Sequence, residues 1–294
     1  MDMRRPLITP GPASGVNRSI GGILVDAGRL RVDAVDTVVQ AQKKTGLRFG
    51  ETALKLKLIQ PQDVLYALSR QFDYTYLQPD DVSVSPEVVA AYRPTAPIVE
   101  QLRALRARLV LRWLGNSNAS SGKIIAVTSV ARGEGRSFIA ANLAVVFSQL
   151  GERTLLIDTD LRNPVQHKLF KLGNRAGLSS FLVGHTTGEA MVRIPGLPNL
   201  SVLPAGHVPP NPQELLGRLT FSNQLSRAAE LFDVIILDTP ASSIGADAEI
   251  VAAHAGAAVL VARNNATRAA EIEALNVSLT EAGTEMLGAI LNDF

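Results

Sequence analysis

Three stretches of this chain carry side chains that handle phosphate. Residues 127–137 read VTSVARGEGRS. They follow the apolar run 124–127 and open an apolar, helix-like stretch from Phe138 to Phe147. A strand, a glycine loop and a helix make a setting in which backbone N–H groups turn toward phosphate oxygens. The helix N-terminus adds partial positive charge. Gly133 and Gly135 flank Glu134, and Arg136 and Ser137 come next. Triphosphate loops of this kind place lysine where Arg136 stands, with a hydroxyl beside it for Mg²⁺; here Ser137 supplies the hydroxyl. Val130 takes the place of the first glycine. The loop predicts triphosphate binding, and its guanidinium raises the question of transfer. Arginine is a planar fork rather than a compact point charge, and a ~1 Å misplacement at a reacting centre can cost ~100-fold.

The second stretch, residues 154–164, reads TLLIDTDLRNP. An apolar strand delivers Asp158 and Asp160 at its C-terminal end, where open α/β sheets place their ligands. One carboxylate would hold Mg²⁺, usually through water, and the other would act as a base or orient an acceptor. Taken alone, the pair is equally a strand end with solvated aspartates. The third stretch, residues 232–240 (FDVIILDTP), ends an apolar strand in Asp238. That is the place of a carboxylate beside Mg²⁺ or its waters. Three such strand ends in this order predict a nucleotide-binding P-loop fold. The amides of residues 133–138, Phe138 included, would hold the phosphates, with Arg136 on the β- and γ-oxygens.

These residues need a sheet to hold them. Apolar strand-like runs fall at 124–128, 154–158, 200–204, 233–238, 257–262 and 287–291, with helical stretches such as 137–150 and 267–282 between them. Strands buried on both faces and separated by helices form a parallel sheet in an α/β domain. Upstream, 98–113 reads as a helix ended by the polar stretch 115–122. Residues 79–97, with Pro79, Pro86, Pro94 and Pro97, read as a linker. Residues 18–78 contain a repeat of 29-residue period, which aligns Gly21 with Gly50, Ile20 with Phe49, Leu30 with Ile59 and Val35 with Val64. The apolar spacing in each copy is near helical, so two short helices per copy are expected, together a small helical domain that packs or docks. Residues 1–17 read as a disordered tail, and 98–294 as the P-loop domain.

Composition bounds the remaining classes. The 294 residues are 46% hydrophobic, enough for a substantial core in about two domains. A net charge of +2 argues against a strongly electrostatic nucleic-acid surface. The chain has no cysteine, which excludes disulfides, a thiolate nucleophile and cysteine metal sites. His167, His185, His207 and His254 lack metal-ligand spacing. No apolar run approaches the ~18 residues of a membrane span, and the N-terminus lacks the apolar segment of a signal peptide.

The loop, the Asp158-x-Asp160 strand and the Asp238 strand resemble the Walker A, A′ and B motifs of bacterial protein-tyrosine kinases, which sit with the MinD and ParA ATPases in the deviant Walker group. The resemblance covers about residues 97–294 and includes 177–184 (GLSSFLVG), 199–216 (NLSVLPAGHVPPNPQELL) and the terminal 288–292 (GAILN), with Asn292 at the nucleotide. Ala131 stands where the MinD and ParA branch carries a second lysine, which favours the kinases. The match is similar to the EpsG-type kinases of exopolysaccharide chain-length control. It implies ATP and Mg²⁺ as cofactors, with Ser137, Asp158 and Asp238 toward the metal and Arg136, Asp158 and Asp160 catalytic. It also implies a membrane polysaccharide co-polymerase as partner, and a cytoplasmic place at the inner membrane held through that partner. Glu100, Arg103 and Arg106 match the family's oligomerisation motif, and their spacing puts them on one helix face. An ordinary charged face would look the same.

Each repeat copy resembles half of the N-terminal domain of type II secretion ATPases, the MshEN type, some of which bind cyclic di-GMP. Arg48 and Gly50 fit that pattern in the second copy, although Ala53 and Lys57 replace an expected Leu and Gly. Gly21, Leu24 and Gly28 fit in the first copy, where Ser19 replaces an arginine and Arg18 is adjacent. Cyclic di-GMP binding and ligand-free docking both remain open. The tyrosines also depart from the kinase pattern. Tyr66, Tyr74, Tyr76 and Tyr92 all precede the loop and the chain ends at Phe294, so phosphorylation of a tyrosine-rich tail is not expected. Tyr74 and Tyr76 read as partly buried packing residues. Two functions follow: an ATP-dependent tyrosine kinase, or an ATP-gated scaffold that holds nucleotide without effective transfer.

Overall fold

In the computed structural model, residues 19–72, 74–114, 124–173, 175–185 and 190–293 are described. The expected tail 1–17, Arg18 and the stretch 115–122 lie outside them. The chain divides into two units, Met1–Thr75 and Tyr76–Phe294.

Among its described residues the first unit holds four helices, α1 (Ile20–Asp26), α2 (Val32–Thr45), α3 (Phe49–Lys55) and α4 (Pro61–Gln71). The starts of α1 and α3, and of α2 and α4, are each 29 residues apart, the period of the repeat. Glycine at 21 and 50 has a packing reason. A Cβ on Gly21 would lie 2.9 Å from the Phe49 ring, and one on Gly50 would lie 3.1 Å from Val64. Ile23, Leu24, Leu30, Val38, Ala53, Ile59 and Ala67 form the core. Gly28 closes α1 with φ 67°, and Lys57, its repeat partner, holds φ 57° with a side chain in place.

The second unit is built on a seven-stranded sheet: β1 (Ile124–Ser129), β2 (Thr154–Asp158), β3 (Val192–Arg193), β4 (Leu200–Leu203), β5 (Val234–Asp238), β6 (Ala257–Arg263) and β7 (Glu285–Asn292). The order is β3-β4-β2-β5-β1-β6-β7. All pairs are parallel except β3 with β4. All six strands expected from apolar runs are present. The short antiparallel β3 is an addition, and its two residues are too few to leave a pattern.

Helices cover both faces. They are α5 (Val89–Tyr92), α6 (Pro97–Leu109), α7 (Arg136–Ser148), α8 (Gln166–Leu169), α9 (Leu178–Leu182), α10 (Pro212–Leu216), α11 (Leu219–Leu231), α12 (Asp247–Ala255) and α13 (Ala269–Glu281). Alternate strand residues feed two cores. Ile125, Val127, Leu156 and Ile236 pack with α6 and α7, and Ala126, Leu155, Ile157 and Ile235 with α11 and α12. This alternation of two apolar faces is why the central strands read as unbroken hydrophobic runs.

The expected linker is not one. Leu77, Val84, Val88, Ala90 and Ala91 are buried in the same core as α7. Buried Asn142 of α7 accepts the Ala90 N–H at 2.8 Å and donates to the Glu87 carbonyl at 3.2 Å. The prolines mark turns of a packed segment, and the unit boundary falls at residues 75/76 rather than after 97. The helix expected over 98–113 is α6, which loosens into a π-helical turn over Val110–Leu114.

Candidate active site

β1 ends at Ser129 and the chain enters the loop of residues 130–135. Gly133 and Gly135 have φ of 80° and 89°, a left-handed backbone that costs side-chain-bearing residues ~1–2 kcal/mol. The amides of Gly133, Glu134 and Gly135 donate to no backbone acceptor among the described residues. Gly135 caps α7, whose first-turn amides, Phe138 included, lack intrahelical acceptors by geometry. The result is a cluster of unspent donors at the C-terminal end of β1, and an anion fits it.

Glu134 and Asn292, both expected at the nucleotide, meet behind this cluster. The buried Glu134 carboxylate accepts the Ala131 N–H at 2.8 Å and the Thr267 hydroxyl, and its carbonyl accepts Asn292 Nδ2 at 3.0 Å. They tie the loop to β7 and to the entry of α13. Thr267 shows no sign of this role in the sequence.

Arg136 is 7% exposed and points back into the protein. Its Nη1 donates to Ser129 Oγ at 2.7 Å and its Nη2 to Asp160 Oδ2 at 3.3 Å, while Nε lies 3.4 Å from Asp238 Oδ1. The guanidinium thus sits among the carboxylates of the neighbouring strand ends. The β2–β5 register sets Asp158 beside Asp238. The Ser137 hydroxyl lies near enough to the Asp238 carboxylate to help hold its carboxyl down. Arg136, Ser137, Asp158, Asp160 and Asp238 are therefore brought to one place, as expected.

The aspartates differ in surroundings. Asp158 is fully buried. It accepts the N–H groups of Asp160 (3.2 Å), Val165 (3.0 Å) and Gln166 (2.9 Å). Burial, then the Asp238 charge, push its carboxyl well above the usual range, against the pull of the Gln166 and Val165 amides. Burial also raises Asp238, while the Arg136 charge, the Gln166 hydrogen bond and the Ser137 hydroxyl hold it down. The strand does not continue past Asp158, so the two carboxylates do not share one face. Asp160 lies in a turn and accepts the Arg162 and Asn163 amides at 3.2 and 2.8 Å.

Two further residues complete the site. Fully buried Gln166 donates through Nε2 to Asp238 Oδ2 at 2.8 Å and to the Ser137 carbonyl at 3.0 Å. Arg162 pairs with buried Asp247 at 3.1 Å. Among the described residues no three His, Cys, Asp or Glu side chains form a ready metal cage. A cation that arrives with phosphates and keeps its waters needs only one or two protein ligands, and Ser137 with Asp238 fits that demand.

The other expected residues serve other ends. Arg103 Nη1 pairs with Glu100 at 2.9 Å, and the Glu100 side chain is 75% exposed. Arg106 instead donates inward to the Val146 carbonyl at 2.8 Å. In the first unit Leu24 is fully buried, Gly21 and Gly50 are close-packed, and Gly28 and Arg48 are exposed. Half-buried Tyr92 donates its hydroxyl toward the Val84 and Asp81 carbonyls at 2.6 and 3.0 Å. Tyr66 lies under Arg29 at 4.3 Å. No described helix is long and apolar enough to cross a membrane.

Known proteins share this architecture. The family model of the AAA domain matches residues 122–277. Tyrosine-protein kinase YwqD of Bacillus subtilis is 36% identical over 205 residues, which are 70% of this chain and 85% of the relative. Tyrosine-protein kinase wzc of Salmonella typhimurium is 34% identical over 206 residues, 70% of this chain but 28% of that longer protein. The solved kinase domain of Escherichia coli tyrosine kinase ETK is 33% identical, with a TM-score of 0.67, covering 76% of this chain and 85% of that one.

Proposed function

The chain belongs to the bacterial tyrosine-protein kinases, and we propose that its second unit transfers the γ-phosphate of ATP to tyrosine hydroxyls of a protein. The observation that carries this is the meeting of the unspent loop amides with Arg136, Ser137, Asp160 and Asp238 at adjacent strand ends. Phosphoryl transfer asks a protein mainly for positioning and charge, and those are the two things this site is built to give. The amides of residues 133–138 would hold the phosphates. Arg136 would leave the carboxylates for the β- and γ-oxygens, where its fork can bind bidentately. Ser137 and Asp238, backed by Asp158, would hold Mg²⁺, which neutralises charge on the phosphates. Asp160, freed from Arg136, would orient or deprotonate the acceptor hydroxyl. Asn292 would reach the base from the far side of Glu134.

On this reading the kinase works at the inner membrane with a polysaccharide co-polymerase, in exopolysaccharide export and chain-length control. Copies would meet through the α6 face that carries Glu100 and Arg103, with Arg106 bracing α6 on α7. The first unit would be a docking module. Its buried Leu24 and close-packed glycines speak for packing rather than for a cyclic di-GMP surface, and calorimetry of the full chain with that nucleotide tests the point.

A specific observation favours a second reading, an ATP-gated scaffold. Arg136 already donates to Ser129 and Asp160 and pairs at 3.4 Å with Asp238, and must give up those partners before it can reach a phosphate. Incubation with γ-labelled ATP, Mg²⁺ and the membrane partner separates the two. Phosphotyrosine on either protein supports the kinase; ATP binding without any phosphotyrosine sinks it. A large gain in Arg136→Lys would identify the guanidinium as the handicap.

A further inference from the structure

Gln166 is an uncharged side chain that bonds to both the helix bearing Ser137 and the strand bearing Asp238. It is fully buried, yet it follows a proline turn in a stretch with no apolar pattern. Its backbone N–H is given to Asp158 Oδ2 at 2.9 Å. Its side-chain amide is given twice, to Asp238 Oδ2 at 2.8 Å and to the Ser137 carbonyl at 3.0 Å. One residue thus joins the three strand-end motifs. Two orphan acceptors accompany it. Asp238 Oδ1 makes no hydrogen bond among the described atoms and has only the 3.4 Å approach of Arg136 Nε, a donor that is itself without one, and Gln166 Oε1 makes none either. Leaving a buried acceptor unmet costs about 1–3 kcal/mol, so two together at the loop mark a place that something else completes.

The bonds also distinguish the two oxygens of Asp238. Oδ2 is held by Gln166, and that bond restrains the rotation of the carboxylate. Oδ1 is then the oxygen left for a cation or its water once Arg136 withdraws. The Gln166 contact to the Ser137 carbonyl fixes the first turn of α7 at the same time, so the hydroxyl and the carboxylate oxygen keep one spacing. We infer that Gln166 is a positioning residue that orients Asp238 Oδ1 and the Ser137 turn for Mg²⁺, with its own Oε1 as a further acceptor for metal-bound water. The inference rests on the nucleotide reading of the site and adds to it a residue that touches neither phosphate nor acceptor. Partners that orient metal-facing carboxylates change metal affinity by ~10–100-fold when removed.

The test is binding, not turnover. The dissociation constant of a non-hydrolysable ATP analogue is measured for the full chain with Mg²⁺ and with excess chelator. In the unaltered chain Mg²⁺ tightens binding. In Gln166→Leu the chelator value should stay within about twofold, while the Mg²⁺-dependent gain shrinks ~10-fold or more. A merely structural residue would weaken both values alike, and that result overturns the inference. Gln166→Met, of closer shape, should repeat the pattern if Leu proves poorly folded. In an Asp238→Asn background Gln166→Leu should reduce the Mg²⁺ gain by less than it does in the unaltered chain, since only its routes through the Ser137 turn and Oε1 remain; a full additional loss there also overturns it. If the unaltered chain binds the analogue with no Mg²⁺ dependence, the nucleotide–metal reading falls and the inference with it. If that dependence is present and survives Gln166→Leu intact, only the inference falls.

Discussion

Arg136→Met exchanges a buried guanidinium for an apolar side chain of similar reach, and the cost can be worked from its partners. Asp160 and Asp238, with side chains 6% and 0% exposed, would lose the cation they share. Removing one member of a buried ion pair costs about 3–5 kcal/mol. The contacts of 3.3 and 3.4 Å are long, and Asp160 keeps two backbone donors, so about 3 kcal/mol is expected. For a unit of this size each kcal/mol is worth ~2–4 °C, so melting should fall by about 6–12 °C. The pH dependence is the sharper check. Burial already raises Asp238, and the Arg136 charge is the largest influence holding it down. Without Arg136 the carboxyl titrates higher still. A carboxyl with a raised native pKa contributes stability fully below the unfolded value of about 3.9, and loses that contribution as pH rises through the native value. The penalty of Arg136→Met should therefore be larger at about pH 8 than at about pH 5, and Asp238→Asn on top of it should recover more than half. Trp113 is the sole tryptophan and its indole N–H donates to the Ile124 carbonyl at 3.3 Å, so its fluorescence follows this unit alone. A loss under about 1 kcal/mol, or one equal at both pH values, would refute the coupling of Arg136 to the carboxylates.

Two other substitutions probe the parts that carry the site. Asn142→Ala leaves the buried Ala90 N–H without its acceptor and removes the side-chain donor to the Glu87 carbonyl. It should cost about 2–3 kcal/mol, or ~4–12 °C by the same fluorescence melt; a neutral result would mean that 79–97 is a loose linker after all. Lys57→Gly relieves a φ of 57° at the repeat equivalent of Gly28. It should raise the urea midpoint of the helical unit, followed by circular dichroism, by an amount matching about 1 kcal/mol. A fall would show that Lys57 makes a contact worth more than its strain.

The sheet and the phosphate loop were legible because both obey rules local in sequence. A strand covered on both faces must be apolar throughout, and 124–128, 154–158 and 233–238 are. A loop that turns its amides outward needs residues that tolerate positive φ, and Gly133 and Gly135 show it. The repeat was legible for the same reason: close packing at Gly21 and Gly50 recurs at one period. Where the reading went astray, a tertiary partner overrode the local cue. Prolines at 79, 86, 94 and 97 are linker letters, yet Asn142, some fifty residues on, accepts the backbone between them. Asp158 and Asp160 share a spacing of two that places side chains on one face only while a strand lasts, and the β2 strand stops at Asp158.

Gln166 and Thr267 illustrate the harder case. Each is an uncharged polar residue outside any motif, and each earns its place from a partner 72 or 133 residues away. Nothing in composition or periodicity marks such a residue as buried. What does mark it is the demand of the charged residues it serves. On the proposed reading Asp238 could not be held fully buried in one orientation by Arg136 alone, since that arginine would leave for phosphate. A second donor that never leaves is therefore required, and it must be neutral, because a second fixed cation would compete with Mg²⁺ for the same oxygen. An amide meets both conditions, whereas a lysine or arginine fails the second and a serine lacks the reach to bridge Asp238 and α7. By that reasoning Arg136 and Gln166 would divide the work on one carboxylate: the arginine would neutralise it while the site waits, and the glutamine would keep it aimed when the arginine turns to phosphate.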